Sequence, residues 1–306
     1  MKYPSTITIN RINYNLVREQ RSGTAIYRSD STYLRIGSIE KIGLDLELHK
    51  QMVKVGFPLA RVLEEGEYQD MSYFVEESLG SLHFGEIFKQ ETESTGYVLD
   101  ESFETFLHIL KIYAEAQVQT IVENKDWDEF RHGIHLDIII RELPHLEKEI
   151  LETYKRAEQN LEKFPFAIQH GDLTPFNIYP KGIIDLEDSF LGPVGYDIGA
   201  FLTIQNWFPE KADDEFYRVY KFTEDQVSKF KKTVADLYNS HGLPRPSDYE
   251  YEFNLTKGIW FTVRMHELPK LQQFRYNTLN KLLAKSPDLI QKEGRAKADH
   301  RSAFEF

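Results

Sequence analysis

His170-Gly171-Asp172-Leu173-Thr174-Pro175-Phe176-Asn177, continued by Ile178-Tyr179-Pro180-Lys181-Gly182-Ile183-Ile184-Asp185-Leu186-Glu187-Asp188, sets an acid and a carboxamide five positions apart and a second acid eight positions further on. The Pro-Lys-Gly step between two short apolar runs, Asn177–Tyr179 and Gly182–Asp185, predicts a tight hairpin that brings Asn177 and Asp185 to its two ends. Oxygen ligands so placed suit Mg²⁺. Phosphoryl transfer is the chemistry that needs them: one carboxylate aligns the attacking hydroxyl while metal held by the other side chains neutralises the phosphate oxygens. The plainer alternative is an ordinary loop whose buried His and Asp satisfy main-chain groups.

Upstream of this stretch the chain reads as strands. Residues 6–9, 15–20, 24–29 and 31–36 are short runs rich in Thr, Ile, Val and Tyr. The period then changes: Ile42, Leu44, Leu48, Met52 and Val55 recur at helical spacing from Ile39 to Val55, and Gly56 and Pro58 stop the helix. Strand-like runs follow at Ala60–Leu63 and Ser72–Val75, then a connector at Glu76–Gly80. Beyond Gly80 the spacing is helical: Phe103, Phe106, Leu107, Leu110, Tyr113 and Ala114 form one apolar stripe, and Ile138–Ala157 and Glu215–His241 repeat the pattern. Leu255, Ile259, Trp260 and Val263, then Leu279–Leu283, mark the last helices, while 292–306 is polar and carries no structural signal. The expected class is α+β: a small antiparallel-sheet lobe with one helix, residues 1–78, and a large helical lobe, residues 79–306.

The chain of 306 residues is 41% hydrophobic, enough for a sizeable core. Its 37 Lys and Arg face 49 Asp and Glu, a net charge of −12, which argues against a nucleic-acid partner and favours a cationic one. With no cysteine, disulfides, thiolate metal sites and a Cys nucleophile are excluded. No stretch is long and apolar enough to span a membrane, and the N-terminus lacks a signal-peptide core, so a cytoplasmic location is expected.

The stretch 170–177 resembles the catalytic loop of the aminoglycoside phosphotransferase and choline kinase superfamily, His-x-Asp with Asn five residues after the Asp. Ile184-Asp185-Leu186-Glu187-Asp188 is similar to that superfamily's Ile-Asp-Phe-Glu-Asp segment, and Gly195-Tyr196-Asp197-Ile198-Gly199-Ala200 to the Tyr-Asp-Leu-Ala that follows it. An ordinary loop explains one of these segments but not their order. The resemblance implies a bilobal protein-kinase-like fold and an ATP- (or GTP-) and Mg²⁺-dependent kinase acting on a small-molecule hydroxyl. Upstream, Arg21-Ser22-Gly23-Thr24 looks like the short Ser/Gly nucleotide loop, Arg35 matches the phosphate-pairing basic position, and Phe74–Gly80 resembles the hinge that would hold adenine, through Glu76 and Ser78. The acid that pairs with Arg35 should lie on the helix Ile39–Val55. Glu47 is the choice, with Asp45 and Glu40 as alternatives.

By the same resemblance Asp172 positions the acceptor hydroxyl and takes its proton, and Asn177 and Asp185 hold Mg²⁺. His170 braces the loop and Asp197 ties it down from the next helix. Two rivals remain at this stage: a protein acceptor, against which the short span between Asp185 and Asp197 counts, and a non-catalytic nucleotide-binding module. The chain departs from the superfamily in its short 177–185 hairpin and in Gln117, which stands where many relatives carry a His. His132 and His135 could pair on a metal but have no third ligand at useful spacing. The acids Asp213–Glu215 and Glu250–Glu252 read as solvated charge.

Overall fold

A computed structural model describes residues 3–20, 23–210 and 217–302. In chain order the elements are β1 (Thr6–Ile9), β2 (Ile12–Glu19), β3 (Ala25–Arg28), β4 (Thr32–Gly37), α1 (Ile39–Val55), β5 (Val62–Tyr68), β6 (Met71–Glu77), α2 (Phe84–Thr95) and α3 (Asp100–Val118). Then come α4 (Trp127–Gly133), α5 (Leu136–Glu142), α6 (Glu147–Leu161), β7 (Phe166–Gln169), β8 (Ile178–Tyr179), β9 (Gly182–Ile183), β10 (Phe190–Pro193), α7 (Tyr196–Gly199), α8 (Glu224–Ser240), α9 (Glu250–Thr262) and α10 (Pro269–Ser302). Ser22 and Asp213–Glu215 lie outside the described residues.

By its contacts the chain falls into two units that cut across a division at residue 78. The first comprises the chain up to Ile121 with His170–Ser189 and Val219–Leu237, the second Val122–Gln169, Phe190–Arg218 and the chain from Tyr238 onward. The motif-bearing loop therefore groups with the sheet.

In the first unit a six-stranded antiparallel sheet runs in the order β1-β2-β3-β4-β6-β5. Side chains alternate across it. Tyr27, Leu34, Ile36, Tyr73 and Val75 share one face, where they pack with Ile7, Ile9, Tyr14 and Ala25 in a buried cluster. The register Ile26↔Arg35↔Phe74 puts these three on the other face. That second face is covered by α1, where His49 sits 6.0 Å from the Phe74 ring. Ser38 starts α1 by accepting from the Lys41 N–H, and Gly56, at φ 101°, ends it.

The strand expectations hold with moved ends. β2 begins at Ile12 because Asn10 and Arg11, at φ 47° and 68°, close a two-residue hairpin onto β1. β5 runs on through Tyr68 because Glu65 and Glu67 fall alternately with half-buried neighbours and so face solvent.

α3 buries the expected stripe, Phe103 through Ala114, and Phe88, Phe106 and Phe222 form an aromatic cluster beside it. In the second unit, β7 pairs antiparallel with β10, and Phe164, Tyr249 and Phe253 stack edge to face. The single helical pattern expected over 138–157 is two helices, because Pro144 cannot donate to the ladder and opens a short 3-10 turn between α5 and α6. The C-terminal stretch, to which the sequence assigns no structure, continues α10 as far as Ser302.

Candidate active site

The loop after β7 is built from Gly171 outward. Gly171 sits at φ 82°, and a Cβ there would lie 2.1 Å from the Asp188 carbonyl oxygen, so only glycine lets 170–172 pass 188 this closely. His170 is fully buried. Its Nδ1 accepts from the Asp172 N–H (3.3 Å) and its Nε2 meets the Ile184 carbonyl (2.8 Å). That pair of partners fixes the tautomer with the proton on Nε2. The His170 N–H in turn donates to the Tyr113 hydroxyl (3.1 Å), which also accepts from Gln117 Nε2 (3.0 Å). These bonds tie His170 to the loop's own main chain and to Tyr113. Gln117 is fully buried beside the Tyr113 hydroxyl. Tyr113 was legible only as one residue of an apolar stripe.

Asn177 directs its amide group at Asp172, donating to the main-chain oxygen (2.8 Å) and to Oδ2 (3.1 Å). Its carboxamide oxygen is left as the end that can accept a cation. The β8–β9 hairpin pairs Ile178 with Ile183, and the Ile184 N–H donates to the Asn177 carbonyl (3.0 Å), which sets Asp185 next to Asn177. Gly182, at φ 159°, admits the Pro58 carbonyl, and the Ile183 N–H donates to it (2.7 Å). Asp185 itself is left-handed, φ 71° and ψ 67°. A non-glycine residue held there costs about 1–3 kcal/mol and is typical of functional positions. Its Oδ2 accepts from Arg18 Nη2 at 2.9 Å, while Oδ1 is buried with no hydrogen-bond partner.

Arg35 faces the hairpin from β4. Its Nε donates to Glu76 Oε1 (3.3 Å), and both side chains are largely buried. Burial works against the guanidinium's charge, but Glu76, Asp185 and Asp45 outweigh it and push its pKa up. The expected partner, Glu47, is corrected: it is exposed and accepts from Gln51 Nε2 instead. On a helix Asp45, Leu48 and His49 share the face that lines the cavity beside Arg35, and Glu47, two positions from Asp45, points away from it. That cavity is also lined by Ile184, Asp185 and Glu187.

The nucleotide-loop and hinge expectations divide. The Gly23 N–H donates to the Gln20 carbonyl. Thr24 is buried with its hydroxyl on Gln20 Oε1 (2.5 Å), so Thr24 shapes the turn instead of facing a ligand. Ser22 is outside the described residues. Glu76 contributes its side chain to Arg35, not a free main-chain edge: its neighbours in register are Tyr33 and Val62. The Ser78 N–H is likewise occupied, by the Ser31 carbonyl (3.1 Å).

Asp197 lies in the second unit, in a fully buried pair with Lys257 Nζ (3.3 Å). The ammonium stands over the Tyr196 and Trp260 rings at 4.6 and 4.9 Å. Two further side chains gave no sequence signal: Arg18, exposed on a strand, and Gln20, whose Nε2 donates to Glu187 Oε2 (3.1 Å).

Mg²⁺ fits the donor set. Among the described residues no three His, Cys, Asp or Glu side chains gather as a cage, which also leaves His132 and His135 without a third ligand. Mg²⁺ needs no such cage, since it binds through one or two protein oxygens and takes the rest from phosphates and water. The buried, unpartnered Oδ1 of Asp185 and the Asn177 carboxamide oxygen are oxygens that could serve such an ion.

The family model described as a phosphotransferase enzyme family (APH) matches residues 99–230. Methylthioribose kinases 1 and 2 of Oryza sativa subsp. japonica are each 33% identical over 116 residues, 33% of this chain and 26% of theirs. The chain therefore matches about a quarter of the length of these curated relatives. A thermostable mutant of aminoglycoside phosphotransferase APH(4)-Ia, in ternary complex with AMP-PNP and hygromycin B, has a TM-score of 0.58 at 10% identity, covering 89% of this chain and 93% of its own. APH(3'')-Id from Streptomyces rimosus, with ADP and streptomycin, has 0.51 at 14%, covering 80% and 92%. At these identities the two structures show the fold. It is the mixed α+β, protein-kinase-like fold expected from the sequence.

Proposed function

We propose that this chain, which resembles the APH phosphotransferases in fold and catalytic-loop motif, is an ATP- and Mg²⁺-dependent kinase that phosphorylates a hydroxyl of a small molecule. The observation that carries this reading is the Asn177 amide held on Asp172, with the Ile184 N–H bonded to the Asn177 carbonyl one residue before Asp185, whose buried Oδ1 is left unpartnered in a cavity shared with Arg35. Asp172 is pinned at its N–H by His170 and at its carboxylate by Asn177, so it can orient an acceptor hydroxyl and receive its proton as the bond to phosphorus forms. Asn177 and Asp185 would hold Mg²⁺, which supplies neutralisation of the phosphate oxygens. Arg35, fixed by Glu76, is a rigid cation for the same phosphates. The acceptor class follows the relatives: a thiosugar such as methylthioribose, or an aminosugar, the second favoured by the net charge of −12.

The test is ADP or GDP release with Mg²⁺ across methylthioribose, hygromycin B, streptomycin, choline and simple sugars, with Asp172→Ala as control. Acceptor-dependent release that disappears in the variant is the expected result. Bound nucleotide with no release for any acceptor would contradict the reading.

A further inference from the structure

Arg18 is out of phase with its own strand. Tyr14 and Leu16 turn to the buried sheet face, and a regular strand would send Arg18 there as well, two residues on from Leu16. Instead the register slips between Leu16 and Arg18: Leu16 pairs with Tyr27, but Arg18 pairs with Ile26. Val17 is the extra residue of the bulge and is left 54% exposed. The slip carries Arg18 across to the face of Ile26, Arg35 and Phe74, and bulges are a means of re-aiming a side chain. There its Nη2 meets Asp185 Oδ2 at 2.9 Å. Two residues further, Gln20 reaches Glu187, so the end of β2 is fastened at two points to the segment that carries the candidate metal ligand.

We propose that Arg18 is an exchangeable counter-ion. In the free protein it occupies the Asp185 carboxylate; when nucleotide enters it passes to a phosphate oxygen, giving the site a second arginine beside Arg35 and releasing Asp185 for the metal. The pair is suited to exchange. Arg18 is 51% exposed, which makes its contact with Asp185 weak, whereas a guanidinium on phosphate gains paired, charge-assisted hydrogen bonds. Arg18 is a positioning residue here, acting through Asp185 and the phosphates. The inference rests on the kinase reading.

Opposite shifts in two affinities test it. Mn²⁺ binding to nucleotide-free protein, followed by electron paramagnetic resonance, and binding of AMP-PNP with Mg²⁺, followed by calorimetry, are measured for the wild type, Arg18→Ala and Arg18→Lys. Arg18→Ala should bind Mn²⁺ about two- to fivefold more tightly, since its competitor is gone, and AMP-PNP about tenfold more weakly. Arg18→Lys should fall between in both. Affinities that both fall, as a merely structural role would give, or that both stay unchanged, would overturn the proposal, as would a shift in only one of them. A wild type that binds no AMP-PNP would instead count against the kinase reading, while the Mn²⁺ comparison still decides whether Arg18 competes for Asp185.

Discussion

At the residue scale, two glycines and one aspartate carry the backbone cost of the site. Gly171→Ala forces a Cβ to 2.1 Å from the Asp188 oxygen at φ 82°. It should destabilise the protein by at least about 2 kcal/mol in chemical denaturation; a change within about 0.5 kcal/mol would mean that the loop is not held as described. Much here was legible in advance. His170, Asp172, Asn177 and Asp185 are close in sequence, so a local motif fixes their neighbourhood. Arg35's partner was not legible, because Glu47 and Glu76 differ only in which strand or helix face they occupy. That is settled by the packing of α1 on the sheet. Thr24 was misread for a similar reason: a hydroxyl in a turn serves the turn as readily as a ligand.

Elements hold these residues through caps and phases. α2 is capped by His83, whose Nδ1 accepts from the Glu86 N–H (3.1 Å). Burial is the main cause that lowers the pKa of His83, and the same holds for His49, whose Nε2 meets the Ala60 carbonyl. Both therefore take up protons more readily unfolded than folded. Their contribution is whole above the ordinary histidine value of about 6.5 and declines as pH falls below it towards the lowered folded values. His83→Ser keeps a cap acceptor without the titration, so the drop in Tm between about pH 7.5 and about pH 5.5 should be smaller than in the wild type. An equal drop would remove His83 as a source. The helix and strand periods were readable; the break at Pro144 escapes apolar spacing alone, and the β2 bulge leaves only a faint mark, the two adjacent apolar residues Leu16-Val17 where Asn13-Tyr14-Asn15-Leu16 alternates.

For the whole molecule, the acidic balance and the buried charges matter most. Asp197 and Lys257 are both inaccessible, so Lys257→Met leaves a buried carboxylate without its cation and should cost about 3–5 kcal/mol. Lys257→Met with Asp197→Leu should recover most of that loss in the same denaturation assay; no recovery would mean the pair is not the unit that matters. Sequence marked Asp197 through its motif but not Lys257, sixty positions on. The chain's contact units likewise join the 170–189 loop to the sheet, a long-range grouping that no local signal could reveal. The most direct test of the proposed chemistry is single-turnover transfer of the γ-phosphate to the acceptor identified in the screen, comparing wild type with Asp172→Asn while nucleotide affinity is followed in parallel. The account predicts a loss of about a thousandfold in transfer with nucleotide affinity changed by less than about threefold. Transfer within about tenfold of the wild type would contradict the role given to Asp172.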